Sequence, residues 1–261
     1  MLSYRHGFHA GSWADVHKHA ALSLLLMHLR SKAKPFCVVD VFAGDGIYDL
    51  TAPEALKTRE FEDGIAKLWQ RKDAPAGLAP YLGVVRGFNP TGRLAKYPGS
   101  PAFIRAALRD TDRLVLAELH PTAHAHLTRW AAGDKRIAVH KRDGFEFLGA
   151  AVPPAIRRGM VLIDPSYEVK SEYESVSRAL EKALLRWKEG IYVVWYPILP
   201  ERRHEKLLAT LAKLKPLISE IAPQKAPARG LQGAGLAIFN PPFGFARELQ
   251  TARDYIATVL F

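Results

Sequence analysis

Two kinds of hydrophobic spacing alternate along the chain. Between residues 14 and 29, apolar side chains recur every three to four positions, and Ser12 or Asp15 can cap the start of the helix that this spacing predicts. Pro35 ends that helix, and the β-branched run at 36–41 predicts a short buried strand. This part of the chain is therefore a helix followed by a strand.

The same alternation continues through the rest of the sequence. Further strands are predicted at 114–117, 137–140, 160–163, 191–195 and 236–239, and further helices at 101–108, 122–130, 173–188 and 202–214. Strands that alternate with helices are typical of an α/β fold with a doubly wound, mostly parallel sheet. We expect the last strand to pair antiparallel, because the Gly- and Pro-rich connection 222–235 leaves no room for a crossover helix.

One long segment interrupts the first repeating unit. The first glycine turn and Glu118, the acid at the end of the second strand, lie much further apart than the roughly 20 residues of a compact dinucleotide-type unit. The intervening residues hold a helical pattern and proline breaks at Pro75 and Pro80. We expect a small helical subdomain at 53–96, inserted into a main domain formed by 1–52 and 97–261.

The composition is that of a folded protein with a strongly basic charge. Hydrophobic residues make up 48% of the chain and charged residues 24%, values typical of globular proteins. The formal net charge of +11 favours a polyanionic partner, because clustered Lys and Arg gain affinity by releasing counterions from phosphates. Nucleic acid is the leading candidate, and the alternative is that the charge only keeps the protein soluble.

Neither export nor membrane insertion is predicted. Cys37 is the one cysteine of the sequence and lies in an apolar run, so it can form no internal disulfide and is expected to be buried. No apolar stretch reaches the roughly 18 residues that span a bilayer, and the N-terminal residues do not resemble a signal peptide. We expect a cytoplasmic protein and a monomer.

Acidic residues follow successive predicted strands. Asp40, Glu118, Asp143 and Asp164 lie at or just beyond the carboxyl ends of strands, the edge at which open α/β sheets bind ligands. A carboxylate at Glu118 can accept hydrogen bonds from both hydroxyls of a ribose, and Asp143 can bind an adenine amino group. Any one of these acids could equally be a helix cap or a solvated turn residue, but the row of four predicts a shared ligand site.

The glycine turn after the first strand narrows the kind of ligand. Gly44 and Gly46 allow the backbone to turn sharply and approach a ligand closely. The turn lacks the third glycine that seats a pyrophosphate against a helix N-terminus. This disfavours NAD or FAD and fits a ligand without phosphate.

The most specific motif is Asp164-Pro165-Ser166-Tyr167, which directly follows a predicted strand. It resembles the Asp/Asn-Pro-Pro-aromatic signature of amino-group methyltransferases. An aromatic amine is a poor nucleophile, because its lone pair is delocalised into the ring. The Asp164 carboxylate and the Pro165 carbonyl can accept both N–H groups and localise that lone pair. Pro165 has no N–H to compete, and Tyr167 offers a stacking face for a flipped base.

Two alternatives compete with this interpretation. Asp, Pro and Ser all favour turns, so the tetrapeptide could be an ordinary turn. Asn240-Pro241-Pro242-Phe243 matches the signature more closely, letter by letter. It follows the last strand, however, far from the glycine turn, and we interpret it as a turn that ends a strand.

Histidines are frequent near the N-terminus, and such clusters can bind metals. They are His6, His9, His17 and His19. No cysteine or carboxylate at a recognisable ligand spacing accompanies them, so no metal is predicted.

Further short segments form a pattern that is more specific than any single motif. They are Met1-Leu2-Ser3-Tyr4-Arg5-His6, Phe8-His9-Ala10-Gly11, Ala14-Asp15-Val16, Lys18-His19, Tyr97-Pro98-Gly99-Ser100-Pro101, Glu118-Leu119-His120-Pro121, Asp143-Gly144-Phe145 and Trp195-Tyr196-Pro197. Over essentially its full length, the chain resembles the bacterial J-type 23S ribosomal RNA adenine-N6 methyltransferases.

The resemblance implies a Rossmann-like class I methyltransferase with a helical insertion. Its cofactor would be S-adenosylmethionine, and its substrate the N6 amino group of an adenine in free or precursor 23S ribosomal RNA. Asp164 would be catalytic, and Tyr4 and Lys18 would lie near the substrate or cofactor. Cofactor contacts are implied at His19, Phe42, Ser100, Glu118, Asp143, Gly144 and Asp164, in the crevice above Gly44.

Two residues depart from the family pattern. Ser166 stands where the family has a second proline, which predicts a less rigid loop. Phe42 stands where a histidine is expected, so its contact with the cofactor can only be apolar or through the backbone. Asp164, the Pro165 carbonyl and Tyr167 are retained.

Other functions remain compatible with these residues. The tetrapeptide suits any planar amino group, so a DNA adenine or protein glutamine methyltransferase is an alternative. Ser166 would be the mark of a non-catalytic RNA-binding factor that has kept the fold. For an RNA enzyme we expect a basic rim that binds phosphates, with an ordinary solvated surface as the alternative. Its candidates are Lys57, Arg59, Arg71, Lys72 and the loop 224–230.

Overall fold

The fold is built on one large β-sheet with helices on both faces. The computed structural model describes residues 4–225 and 227–261, so Met1-Leu2-Ser3 and residue 226 of the loop 224–230 lie outside the described residues. The strands are β1 (Cys37–Asp40), β2 (Ile47–Asp49), β3 (Lys96–Pro98), β4 (Arg113–Ala117), β5 (Ile137–His140), β6 (Gly159–Ile163), β7 (Ile191–Ile198), β8 (Leu217–Ile221) and β9 (Gly233–Phe239).

Helices connect most of these strands. They are α1 (Trp13–Arg30), α2 (Pro53–Thr58), α3 (Ile65–Leu68), α4 (Ala79–Phe88), α5 (Ser100–Ala107), α6 (Pro121–Ala131), α7 (Gly144–Ala151), α8 (Glu172–Arg186), α9 (Arg203–Leu211) and α10 (Phe245–Leu260). Short 3-10 turns lie at His6–Phe8, Glu60–Glu62, Ala76–Leu78 and Ala212–Leu214. Within the described part of the chain, no helix is both long enough and apolar enough to cross a membrane.

The sheet has the topology that the alternating pattern predicts. Its order is β5-β4-β1-β6-β7-β9-β8, while β2 and β3 form a separate antiparallel pair. The five strands from β5 to β7 are parallel, and β9 is antiparallel to both of its neighbours. The predicted Rossmann-like, mostly parallel sheet with an antiparallel last strand is confirmed.

The order of the strands creates a crevice at one edge of the sheet. From β1 the chain moves outward to β4 and β5, then returns to β6 on the other side of β1. Where the direction of winding reverses in this way, the carboxyl ends of the two central strands leave an opening between the flanking connections. This opening lies between Asp40, the last residue of β1, and Asp164, the first residue after β6.

Alternate strand residues pack into two cores, one on each face. Val38 and Leu162 face a cluster that includes residues of α1, α5 and α10, whereas Val39 and Ile163 face a cluster that includes residues of α7, α8 and α9. Burial on both faces explains why the parallel strands are continuous apolar runs. Cys37 is buried in the second cluster, as predicted.

The segment between β2 and β3 is helical. We propose residues 53–96 as the inserted subdomain: α2, α3 and α4 lie within it, and Tyr81 and Leu82 of α4 belong to the same core cluster as α1. Ser12, one of the two predicted caps, is the residue that caps α1: its hydroxyl accepts a hydrogen bond from the Asp15 backbone N–H.

Candidate active site

Four acidic residues lie at the carboxyl edge of the parallel strands. Asp40 ends β1, Asp164 directly follows β6, Glu118 directly follows β4, and Asp143 lies three residues beyond β5. Since these four strands are adjacent and parallel, the acids lie on one edge, as the sequence predicted. Asp40 and Asp164 flank the crevice itself.

Glu118 holds the glycine turn in place. Its Oε2 accepts a hydrogen bond from the Gly44 backbone at 2.8 Å, and its Oε1 accepts one from the His120 backbone at 2.7 Å. Gly44 has a φ of 65°, and a Cβ there would lie 2.3 Å from the Tyr48 hydroxyl, so only glycine suits this turn. A carboxylate offers about four lone-pair positions, so the half-buried Glu118 can still accept hydrogen bonds from a ligand.

Asp143 and Gly144 form the beginning of α7 against the glycine turn. Asp143 Oδ1 accepts hydrogen bonds from the Phe145 and Glu146 backbones, both at 3.0 Å. Asp143 is therefore a helix cap, the alternative role considered for these acids, and its other carboxylate oxygen is left for a ligand. The Phe42 ring packs edge-on against Phe145 with ring centroids 5.0 Å apart, so the side chain at this position forms an apolar surface.

Replacing Gly144 with Ala is expected to disturb the packing of Phe42 against the start of α7 and so destabilise the fold. A Cβ at position 144 would lie 2.3 Å from the Val41 carbonyl oxygen and 2.6 Å from the Phe42 ring, so the fold should lose about 1–3 kcal/mol. Gly149→Ala is the matched control, since it lies on the same helix and its Cβ would meet nothing within 4 Å. Urea denaturation of both variants measures the difference, and equal stabilities would contradict the packing argument.

Asp40 lies beneath the crevice and is bound to Ser100. The Ser100 hydroxyl donates to Asp40 Oδ2 at 2.6 Å, and the Phe42 backbone donates to Oδ1 at 3.3 Å. Asp40 is completely buried. Burial raises the pKa of its carboxyl to about 7, with a further contribution from the charge of Asp164, against the opposing effect of the Ser100 hydrogen bond.

The raised pKa of Asp40 makes stability depend on pH. The folded protein binds this proton more tightly than the unfolded chain does, so stability should fall as the pH rises from about 4 through about 7. Asp40→Asn mimics the protonated carboxyl and should lack this fall, gaining roughly 3–5 kcal/mol relative to the parent between pH 4 and 8. Denaturant titrations across this range test the difference, with the exposed Asp110→Asn as control; parallel curves for Asp40→Asn and parent would refute it.

Asp164 is held by a buried lysine. Lys18 Nζ lies 2.5 Å from Asp164 Oδ2 and 3.0 Å from Asp15 Oδ1, and its side chain is almost fully buried. Burial alone would lower the pKa of Lys18, but the two carboxylates raise it well above its ordinary value. Lys18 is therefore charged and fixes one oxygen of Asp164.

The N-terminal segment lies beside this pair. His6 bridges the Tyr4 hydroxyl and Asp15 Oδ2, at 2.8 and 2.9 Å. Tyr4 stacks on His9 with ring centroids 5.7 Å apart, and its backbone N–H donates to Glu168, in the loop after the tetrapeptide, at 3.1 Å. Burial raises the pKa of Tyr4, and the nearby charge of Asp164 raises it further.

The remaining N-terminal histidines have separate partners. His19 Nδ1 is hydrogen-bonded to the Tyr97 hydroxyl at 2.8 Å, and His17 Nε2 to the Ser219 hydroxyl at 2.9 Å. Burial lowers the pKa of His19 well below its ordinary value and that of His17 to about 3, so both are neutral. Within residues 4–225 and 227–261, no group of three His, Cys, Asp or Glu is arranged to hold a metal ion.

The tetrapeptide directly follows β6 as irregular chain, and its last residue has a left-handed backbone. Tyr167 has a φ of 55°, and its hydroxyl donates to the Trp195 carbonyl at 2.7 Å. Its ring packs against Tyr173 with centroids 4.5 Å apart and is only 7% exposed. Most of the Tyr167 ring face that was expected to stack on a base is therefore buried. The stacking role of Tyr167 stays a prediction. Ser166, in place of proline, bonds instead through its hydroxyl to Glu172 at 3.4 Å.

Comparisons with known proteins show to which family this chain belongs. A family model described as "Ribosomal RNA large subunit methyltransferase D, RlmJ" matches residues 33–261. The sequence is 39% identical to ribosomal RNA large subunit methyltransferase J of Escherichia coli K12, across all of this chain and 94% of the relative. The chain belongs to this methyltransferase family.

Two further proteins are similar to this chain over nearly all of its length. Ribosomal RNA large subunit methyltransferase J of Haemophilus influenzae is 37% identical over all of this chain and 94% of its own. A crystal structure of protein LPL1258 from Legionella pneumophila superimposes with a TM-score of 0.91 at 36% identity, covering 97% of this chain and 94% of that one. The resemblance identified from the motifs is thereby confirmed.

For this member of the family, the structure brings most of the predicted site residues to one edge of the sheet. Three residues that the predictions did not place in the site also shape it: Asp15 anchors Lys18, Tyr97 binds His19, and Tyr48 closes the glycine turn. Asp15 and Tyr97 both lie in segments that carry the family resemblance, and Asp15 also lies three residues before Lys18 on one helix; Tyr48 left no such signal.

The Asn240 tetrapeptide lies at the opposite edge. Phe239, the last residue of β9, pairs with Tyr192 near the start of β7, so the residues that follow β9 are remote from Asp164. The interpretation of this segment as a turn that ends a strand is confirmed.

Proposed function

We propose that this protein transfers the methyl group of S-adenosylmethionine to the N6 amino group of an adenine in 23S ribosomal RNA. The observation that carries the proposal is the position of Asp164, at the crevice between β1 and β6, with one oxygen fixed by the buried Lys18. Family membership indicates methyl transfer as the reaction class. The position of Asp164 indicates which side chain would accept a hydrogen bond from the target amine.

The residues at the crevice fit the cofactor. Gly44 and Gly144 bring the backbone close to the crevice without a Cβ. Glu118 would hold the ribose hydroxyls, the second oxygen of Asp143 would accept from the adenine amino group, and Phe42 would cover an adenine face. Ser100 contributes indirectly by holding Asp40 beneath the site, and His19 by its hydrogen bond from α1 to the Tyr97 hydroxyl. When bound, the cofactor supplies an electrophilic methyl group on a sulfonium.

Asp164 prepares the substrate amine. Because Lys18 binds Oδ2, Oδ1 is the oxygen that accepts an N–H from the target adenine, and the Pro165 carbonyl accepts the other. These two acceptors align the nitrogen lone pair and stabilise the positive charge that grows on the amine. After transfer, Asp164 Oδ1 is the first acceptor for the departing proton.

Two aromatic residues are proposed to position the base. Tyr4 lies beside the catalytic carboxylate and is only half-buried, so its ring can contact a base that enters the crevice. Tyr167 is fixed by the Trp195 carbonyl, and we propose that the exposed edge of its ring borders the same space.

The proposed RNA contact surface at this edge includes the basic rim. Arg59 pairs with Glu62 and Arg71 with Asp73. These two arginines are therefore less available to bind phosphates than the sequence alone suggested. The exposed Lys57 and Lys72 remain stronger candidates for phosphate contacts. We further propose that the protein acts as a cytoplasmic monomer on free or precursor RNA.

Labelled methyl transfer tests the proposal. The protein should transfer label from S-adenosylmethionine to protein-free large-subunit ribosomal RNA, and mass mapping should find N6-methyladenine at one position. Duplex DNA and a glutamine-containing protein substrate form the comparison arms. Transfer to either of these but not to RNA would support the corresponding alternative enzyme, and RNA binding without transfer would support the non-catalytic factor.

A further inference from the structure

The turn after β9 holds an aromatic ring in solvent. Phe243 is fully exposed, and the backbone on each side of it is constrained. Pro241 and Pro242 fix their own φ angles, and the amide of Asn240 donates to the carbonyls of Lys188 and Gly190 at 2.7 and 2.8 Å. The Phe245 backbone N–H donates back to Pro242 at 3.2 Å. The turn is thus fastened at both ends, with its large apolar side chain at the tip.

Cationic residues surround this turn. Asn240 is bound to the backbone of Lys188, and the indole N–H of Trp187 donates to the Arg157 carbonyl at 2.9 Å. These bonds bring the Asn240 turn, Lys188 and Arg157 together at the amino edge of the sheet. The side chains of Lys188 and Arg157 are both exposed.

A second set of bonds adds further cations on the α1 side. Phe245 packs edge-on against His28 with ring centroids 5.9 Å apart. Arg158 donates to the carbonyls of Leu29 and Lys34, so the end of α1 and the exposed Lys34 lie at the same edge of the sheet as the turn. Two acids lie in this region: Glu248 is paired with His28, and the exposed Glu189 directly follows Lys188.

We propose that Phe243 and these cations form a second RNA-binding surface, which contacts the substrate RNA outside the active site. This surface, the Phe243 patch, consists of Lys34, Arg157, Lys188 and Phe243. The proposal rests on the proposed function, since it assumes that the substrate is RNA. A base stacked on Phe243 and phosphates bound by the three cations would be the contacts.

An aromatic ring among unpaired cations fits single-stranded or looped RNA better than an apolar partner. Bases stack on aromatic side chains whatever their sequence, while Lys and Arg bind the flanking phosphates. An apolar protein partner would leave the surrounding cations desolvated and unpaired, which is costly.

The position of the Phe243 patch determines which RNAs can reach it. The central parallel strands are four to five residues long, so at about 3.3 Å per residue the two edges are separated by roughly 15 Å of sheet plus the loops. A hairpin shortened until it covers only the carboxyl edge cannot reach Phe243. A long RNA that continues around the protein can.

RNA length therefore separates the two contacts experimentally. With full-length, protein-free large-subunit ribosomal RNA, Phe243→Ala and Arg157→Glu should each raise the Kd about tenfold. The charge reversal should also make the dependence of log Kd on log salt shallower. With a short hairpin centred on the mapped target adenine, both variants should keep the parent's KM and kcat. Phe243→Trp should retain tight binding of the long RNA, because it keeps a stacking face, whereas Phe243→Leu should not.

Arg178→Glu is the matched charge control, since Arg178 is exposed on α8 and outside the Phe243 patch. It should bind the long RNA at least five times more tightly than Arg157→Glu. If Phe243→Ala and Arg157→Glu both bind the long RNA within twofold of the parent, the second surface does not exist. If the parent binds RNA but methylates neither the long RNA nor the hairpin, the proposed function fails. The comparison of Kd values for the long RNA still tests whether the Phe243 patch binds RNA.

Discussion

Asp164→Ala is expected to lower kcat for methyl transfer by at least about a hundredfold, the usual cost of removing one preorganised group that stabilises developing charge. The variant loses the oxygen that is proposed to accept the amine N–H, and the Pro165 carbonyl alone would not align the lone pair. Asp164→Asn keeps a neutral acceptor oxygen and should retain more activity than the Ala variant. Cofactor affinity should change much less than kcat, because the proposed role of Asp164 acts mainly on the amine.

Rapid-quench single-turnover assays measure this step separately from product release. Asp110→Ala, an exposed acid at the opposite edge, controls for the loss of a carboxylate. Lys18 retains Asp15 as a partner at 3.0 Å, so circular dichroism and thermal melting should show a folded Asp164→Ala protein. Turnover near that of the parent in such a folded variant would disprove the mechanism.

Lys18→Met should have the largest effect on stability. It leaves the carboxylates of Asp15 and Asp164 near one another without the cation that both contact. Removing one partner of a buried ion pair costs about 3–5 kcal/mol, and Met fills a similar volume, so the lost charge rather than a cavity would cause the change. Activity should also fall, because Asp164 is no longer held in place.

The pH dependence of the Lys18 variant distinguishes electrostatics from packing. In the parent, burial tends to raise the pKa of Asp15, but His6 and Lys18 hold it well below its ordinary value. That contribution to stability is present above the unfolded pKa and is lost as the pH falls. In Lys18→Met, the lysine no longer opposes the effect of burial on the pKa of Asp15, so protonation of Asp15 at lower pH costs less and the folded state loses less stability as the pH falls.

The stability deficit of Lys18→Met should therefore shrink between pH 8 and pH 5. Urea denaturation at the two pH values measures it, with Lys182→Met on the exposed face of α8 as control. A deficit that is constant with pH would assign the effect to packing.

Local patterns predicted the large sheet well, because its strands are short, apolar and separated by clear helical spacing. The strand at 137–140 has the bounds of β5, and α1 extends the predicted helix by one residue at each end. The predictions missed β8, where apolar and polar positions do not alternate strictly, and α7, which has only eight residues. They also missed α10, although Leu249, Ala252 and Ile256 recur at helical spacing.

The candidate site was predictable as a row of acids but not as a network. Parallel strands bring their ends to one edge, so residues 40, 118, 143 and 164 could be grouped from the sequence alone. The contact between Lys18 and Asp164 joins residues 146 positions apart, and no local period encodes it; the family resemblance supplied Lys18. The burial of Tyr167 depends on the left-handed bend of its own backbone, which the tetrapeptide does not specify.

The helix that carries Lys18 is secured by distant parts of the chain. His17 is hydrogen-bonded to Ser219 of β8, and at the two ends of α1, Trp13 and His28 contact Phe261 and Phe245. During synthesis α1 emerges from the ribosome long before these partners do. The part of its apolar face that packs on α10 stays uncovered until α10 has been translated. A chain arrested before α10 would therefore be a substrate for chaperones or proteases rather than a partly working enzyme.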